Sequence, residues 1–335
     1  IGLNIDIDIS DTGLTGFMRD SDKDTFTGTF NGNNKKFTMT VGTNDANVVF
    51  HTFNGFFAKT SGAKISNVTL KSTFNIVGDN TNDANKCHIG SVSAYNSGAL
   101  TVDNVKVNVK ASPSGVFTNF VGGMVGYVDD ATSDVSFTDS TVTADLTYNA
   151  GTTSRDCTVL GGVIGLVDGV SSKPADDTGI KFNNVTVSGT ITDNHNGSNA
   201  RVGGLIAEVR GKAEEVSYNT KHNNIFITNV NIDNLTINAN GKVNNSGGFF
   251  GHNWYRVEVT LDSLTVNGCH LNVTKGTELG GLVLSTTGYW KISKVKFAGT
   301  EVNAPMVNRY GMLAATLFGR SSDPYGFNYQ TGAAG

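Results

Sequence analysis

One pattern constrains the fold of this chain more than any other. A block built from an apolar residue, two or three small or polar residues and further apolar positions recurs seven times. The copies are "ISNVTL" (65–70), "VDNVKV" (102–107), "FTDSTV" (137–142), "FNNVTV" (182–187), "ITNVNI" (227–232), "LDSLTV" (261–266) and "ISKVKF" (292–297). A second block of glycines beside a short apolar run follows each copy: "IGSVSA" (89–94), "GGMVG" (122–126), "GGVIG" (161–165), "GGLIA" (203–207), "GGFFG" (247–251), "GGLVL" (280–284) and "GMLAA" (311–315), with a partial "GFFA" at 55–58. The two blocks alternate throughout, and copies of the first start 31 to 45 residues apart.

A repeat of this length is a unit that buries its apolar face only by stacking on its neighbours. Helical hairpins are disfavoured, because glycine pairs beside β-branched runs make poor helix interiors. A propeller blade needs four strands, whereas each unit here offers two clear strands and a variable third. The composition agrees: 41 glycines and only 4 prolines accompany abundant Val, Thr, Ser and Asn, which suit pleated strands and the turns between them. The expected fold is therefore all-β, a right-handed parallel β-helix of about seven to eight coils. Stacked at about 4.8 Å per coil, these make a rod of roughly 35 to 40 Å.

The pattern also assigns faces. In "FNNVTV" Phe182, Val185 and Val187 are expected to point inward. The glycines Gly122, Gly123, Gly161, Gly162, Gly203, Gly204, Gly247, Gly248, Gly280 and Gly281 are expected to be structural. Without a Cβ, the backbone there can turn sharply or press close to an opposing strand. A phosphate loop is excluded by the missing Lys and helix. A membrane packing seam is excluded because no apolar 20-mer surrounds the G-x-x-x-G spacing. One domain is expected over residues 1–320, with a cap and first coils in 1–60 and repeating coils in 61–320; residues 321–335 form a tail suited to capping or assembly.

The opening "IGLNIDIDIS", the following "FTGTFNGNNKKFTM" (26–39) and the recurring "GGMVG" type blocks resemble the GLUG-motif repeat family of bacterial and protist surface proteins. That family opens with a "DIDLS" strand and an "F-x-G-T-F-D-G-N-G" turn before its Gly-Gly-apolar coils. Asn31 stands here where the family often has Asp, and Asn34 where it has a second glycine region. The resemblance spans nearly the whole chain and implies a β-helical, adhesin-like protein of the cell surface.

Candidate chemistry is sparse. Asp129 with Asp130, Asp176 with Asp177, and His252 near Arg256 resemble fragments of a polygalacturonase site. The acid pairs fall in loops, however, coils away from the histidine, while glycoside hydrolysis needs two carboxyls about 5 to 9.5 Å apart. "DSDKD" (20–24) has alternate acids but continues with Thr25 and reaches Asn31 at the twelfth position, unlike a calcium loop. Thr69, Lys106, Thr141, Thr186, Asn231, Thr265 and Lys296 would align on one face, and the lysines break any threonine array. No catalytic residue, cofactor or metal is expected. Cys87, Cys157 and Cys269 show no metal spacing. Cys87 and Cys157 are expected two coils, or roughly 9.6 Å, apart, beyond the ~7 Å limit for a disulfide.

Asn67, Asn184, Asn196, Asn234, Asn244 and Asn272 are candidate N-glycosylation acceptors by their N-x-[ST] context, as in a glycoprotein. A net charge of -4 and scattered basic residues give no nucleic-acid surface. The longest apolar runs fall well short of the ~20 residues of a membrane helix. A start at Ile1 without a leader suits a secreted chain after signal removal. The expectation is an extracellular structural protein that self-assembles head-to-tail or meets cell-surface glycans. A carbohydrate-binding or polysaccharide-degrading β-helix, and a viral fibre, are the alternatives.

Overall fold

The computed structural model describes residues 5–8, 25–42, 52–76, 86–114, 118–129, 132–149, 157–168, 177–195, 199–210, 223–241, 244–253, 257–274, 276–280, 283–286, 289–304, 307–311 and 314–317. All regular elements among them are β-strands, arranged in three parallel sheets. The long wall has eleven strands, running from Ile7–Asp8 through Thr29–Val41, Ala63–Phe74, Leu100–Ala111, Val135–Asn149, Ile180–Asn194, Asn223–Ala239 and Val257–Asn267 to Tyr289–Ala298, with His270–Val273 and Glu301–Asn303 extending its last coils. The first short wall has eight strands, from Phe53–Asn54 to Val307–Gly311. The second has nine, from Thr25–Phe26 to Ala314–Leu317.

The chain visits the first short wall, a glycine corner, the second short wall and then the long wall. It does so through seven complete coils, with partial coils at both ends. This is the expected parallel β-helix. No helix in the described residues is long and apolar enough to cross a membrane.

The first repeat block forms columns on the long wall. Ile65, Val102, Phe137, Phe182, Ile227, Leu261 and Ile292 pair in register. Thr69, Lys106, Thr141, Thr186, Asn231, Thr265 and Lys296 form another column, so the lysines do interrupt the threonines. Phe182, Val185 and Val187 are all buried. Strict alternation would send Phe182 and Val185, three apart, to opposite faces.

A left-handed residue between them resolves the conflict. Asn67, Asn104, Asp139, Asn184, Asn229, Ser263 and Lys294, one per coil, have φ of +48° to +69°. Asn and Asp tolerate this region better than other non-glycine residues. Their side chains also bond between coils: Asn104 Nδ2 donates to Asn67 Oδ1 (2.8 Å), Asn67 Nδ2 to Asn31 Oδ1 (3.2 Å), and Asn184 Nδ2 to Asp139 Oδ1 (2.6 Å). A second amide ladder closes the far end of the long wall through Asn149, Asn194, Asn240 and Thr274.

The glycines act through close approach, since none of the corner glycines has a left-handed φ. A Cβ on Gly161 would lie 1.8 Å from the Ile164 carbonyl oxygen of its own coil. One on Gly162 would lie 2.0 Å from the Gly204 carbonyl oxygen of the next coil. The corner is thus tight both within a coil and between coils. Gly123 and Gly204 show the same approach to the following coil. Gly247 and Gly280 end strands of the first short wall, Gly248 is buried in the corner, and Gly281 lies outside the described residues.

Inside the coils a single apolar core runs the length of the stack. Phe30, Phe37, Phe56 and Phe57 interlock near its first end with centroid separations of 4.6 to 6.0 Å. Phe250 and Trp290 meet edge-to-face at 5.3 Å towards the other. Ile7 and Asp8 pair with Phe37 and Thr38, so the alternating opening segment adds a strand to the first end of the long wall. The tail 321–335 lies outside the described residues.

Candidate functional site

The glycine corner folds the two short walls so that their outward side chains meet. His88 and Phe120 project from the first wall, between core residues such as Ile89 and Val121. Tyr95 and Tyr127 project from the second. The rings interlock: Phe53–His88 at 4.9 Å, His88–Phe120 at 5.2 Å, His88–Tyr127 at 5.3 Å and Phe120–Tyr127 at 5.1 Å. Tyr95 and Tyr127 stack on each other, 8° from parallel with centroids 5.3 Å apart. Further along, Phe120, Val159, Leu166 and Ala207 form a small apolar cluster distinct from the main core, with Tyr127 packed on it. The Lys59 ammonium lies 4.4 Å from the Phe53 ring centroid.

Carboxylates border this cleft in the position after two second-wall strands, Asp129 after Val125–Val128 and Asp168 after Ile164–Val167. The Tyr95 hydroxyl donates to Asp129 of the next coil, and the Tyr127 hydroxyl donates to Asp168 of the coil after. Arg210 follows in the same row, since its backbone NH donates to Val167 as that of Asp168 donates to Val128. Its guanidinium pairs with buried Glu208 at 2.9 Å and lies 5.9 Å from the Phe120 ring centroid.

Burial governs the protonation states here. It pushes the His88 imidazole down to about 4, with the Thr52 carbonyl opposing and the Lys86 and Lys59 charges adding. Burial first, and then the hydrogen bonds to Asp129 and Asp168, push both tyrosine hydroxyls up. Each tyrosine therefore stays a donor to its aspartate.

This arrangement clamps successive coils together. A sugar-stacking platform needs an open aromatic face, but Tyr95 and Tyr127 cover each other and Tyr127 is packed on its far side. Among the described residues no group of three or more His, Cys, Asp or Glu is placed to hold a metal ion.

The structure scatters the other candidates. Asp129 belongs to the cleft; Asp130 and Asp176 lie outside the described residues, and Asp177 is exposed in a turn. His252 lies on the second short wall in the column of Tyr127 and Glu208, three coils beyond Tyr127. That is an axial separation of about 14 Å. Arg256 and residues 20–24 lie outside the described residues. Cys157 pairs with Thr118, which pairs with Lys86, so Cys157 is two coils from Cys87 and one residue out of its column. Cys87 and Cys269 are buried free thiols.

Among the glycosylation candidates, Asn272 donates its amide to Asn238 at 3.0 Å, as Asn67 and Asn184 donate theirs to neighbouring coils. Asn234 is exposed at φ +51° beside a bulge. Asn196 lies outside the described residues, and Asn244 begins a first-wall strand.

Sequence reasoning missed Tyr95, Tyr127, His88, Phe120, Asp168 and Arg210. A signal existed: Tyr95 and Tyr127 each stand five residues after Gly90 and Gly122, the equivalent glycines of successive blocks.

Fold and cleft together define a parallel β-helix whose coils are latched outside the core as well as inside it. No family model matches the chain, and neither curated proteins nor solved structures show significant similarity to it.

Proposed function

We propose that this is an extracellular structural protein, an adhesin-like β-helical module of a cell surface that joins head-to-tail into a filament. The GLUG-like sequence pattern supports the surface assignment. The observation that carries the structural reading is the continuity of its ladders. Core columns, amide ladders and the outer cleft spend their polar and aromatic groups on contacts between coils. Negative-stain microscopy and immunogold labelling of producing cells test this reading. Filaments carrying label at the cell surface are expected; label confined to the cytoplasm would overturn it.

A second reading, a polysaccharide-binding groove, draws on one observation: Asp129 and Asp168 stand in one row on successive coils, beside tyrosines whose ring faces are covered but whose hydroxyls reach that row. Binding to a polysaccharide panel that D168N abolishes, with the fold intact by circular dichroism, would favour it over a purely structural role.

A further inference from the structure

Tyr95 and Tyr127 are direct partners on adjacent parallel strands, Ser93–Asn96 and Val125–Val128, so their backbones stand about 4.8 Å apart. Their rings stack 8° from parallel with centroids 5.3 Å apart. Neighbouring rings brace the pair. Phe53 and His88 meet Tyr95 edge-on at 5.7 and 5.8 Å, and His88 and Phe120 meet Tyr127 edge-on at 5.3 and 5.1 Å. Both tyrosines nevertheless stay only partly buried. Tyr148, by contrast, is fully buried, with His195 as a ring neighbour at 6.2 Å.

Each hydroxyl also has a proton acceptor in place. Tyr95 donates to Asp129 Oδ2 and Tyr127 to Asp168 Oδ2, and each carboxylate acts through its charge on the other hydroxyl too. Both phenols are thereby held protonated, so losing an electron means losing the proton with it. A phenol stripped of one electron is a strong acid, and a carboxylate already on its proton accepts it without leaving a new charge in a half-buried site. The phenoxyl radical that results carries its unpaired electron on oxygen and on the ring carbons beside it, Cε1 and Cε2. In two rings stacked on paired residues of parallel strands, those edges lie side by side.

We propose that Tyr95 and Tyr127 form a site of oxidative crosslinking, where a haem peroxidase using hydrogen peroxide joins the two rings by a Cε–Cε bond. Each tyrosine gives one electron to the peroxidase and its hydroxyl proton to its aspartate. The two radicals couple to form the carbon–carbon bond, each bonded Cε then loses its hydrogen as a proton, and each oxygen regains a proton from its aspartate. Two electrons and two protons leave in all, and with one hydrogen peroxide they give two waters. The product is a dityrosine that ties successive coils covalently outside the core.

The site favours this pair over coupling between molecules. Holding both radicals side by side replaces a bimolecular encounter with an intramolecular step. The yield of this crosslink is therefore independent of protein concentration, whereas coupling between chains falls on dilution. The proposal goes beyond the structural reading above and does not depend on filament formation, so its failure would leave that reading standing.

The experiment treats the full chain with hydrogen peroxide and horseradish peroxidase across a dilution series. Dityrosine fluorescence, an intact mass lower by two hydrogens in a monomeric band, and a crosslinked peptide joining Tyr95 to Tyr127 are expected at every dilution. Y95F and Y127F should each abolish that fluorescence in the monomeric band. D129N/D168N keeps acceptor oxygens for both hydroxyls but removes the bases, so it should slow crosslinking several-fold while circular dichroism stays unchanged; an unchanged rate would refute the role given to the carboxylates. Dityrosine only between chains, oxygen added to either ring without a crosslink, or monomer fluorescence undiminished in Y127F would overturn the site. If a variant impairs folding, the peptide map of the unsubstituted protein decides alone: a map with other oxidised tyrosines but no Tyr95 to Tyr127 link refutes the proposal.

Discussion

Asn104 joins two costs that a small set of variants separates. It holds φ at +50°, and its Nδ2 donates to Asn67 Oδ1 at 2.8 Å. Asn104→Gly loses the hydrogen bond, about 0.5–1.5 kcal/mol net, but keeps a residue at ease in the left-handed region. It adds the usual entropic cost of glycine in a strand, roughly 0.5–1 kcal/mol. Asn104→Ala loses the same bond and is forced left-handed, which costs about 1–2 kcal/mol. The totals, about 1–2.5 kcal/mol for Gly and about 1.5–3.5 kcal/mol for Ala, overlap, but the central values put Ala slightly below Gly in stability, about 2.5 against about 2 kcal/mol of loss. At an ordinary strand position, Gly would instead be the weaker of the two by the entropic term. Urea unfolding followed by circular dichroism reads the difference. The midpoint shift should be compared at fixed slope, since a stack of repeats can lose two-state behaviour. If Asn104→Ala is more stable than Asn104→Gly by 0.5 kcal/mol or more, the left-handed residue does not carry the bend and the account of the long wall fails.

Gly162→Ala should cost 2 kcal/mol or more, because its Cβ would lie 2.0 Å from the Gly204 carbonyl oxygen and a packed backbone relaxes poorly. Gly28→Ala, whose nearest contacts are Phe26 ring atoms at 3.4 Å, should stay within about 1 kcal/mol; equal losses in thermal melts would contradict the corner geometry. Asp193 is fully buried with Oδ2 unbonded, and burial pushes its carboxyl up to about 7 against the His195 NH that bonds Oδ1. The folded state then holds a proton that the unfolded state releases near 3.9, so stability falls as pH rises from about 4 to 7 and levels off above, by an upper bound of about 4 kcal/mol. Asp193→Asn should remove that slope in unfolding midpoints taken across this range; a slope unchanged from the parent would refute the assignment. Cys87, buried beside Asn54 and pushed up to about 12, should resist a thiol reagent until the chain unfolds. An intact-mass or peptide map showing a Cys87 to Cys157 crosslink would contradict the register of the first short wall.

The coil columns were legible because each repeat block carries its inward residues in the same order, as Phe182, Val185 and Val187 show. The reason for the three-residue step was also written there, in the Asn, Asp or Ser that most copies place between them. It is visible only once left-handed tolerance is weighed beside polarity. The cleft was hidden for a different reason. Asp129 reads locally as half of an acid pair in a loop, whereas its partner is the Tyr95 hydroxyl, 34 residues earlier. His88 and Phe120 read as outward positions of ordinary strands. Only the glycine corner makes an outward face into a second interior, and that turn has no signature beyond the glycines themselves.

The parallel register of all three walls has a mechanical consequence. Tension along the stacking axis acts in line with the hydrogen bonds between coils, so those bonds yield in sequence, as in a zipper, instead of sharing the load. Each coil that peels away frees 31 to 45 residues, or about 110 to 160 Å of extended chain. A coil that opened this way would lengthen the module several-fold before any covalent bond was strained, in steps set by the length of each coil.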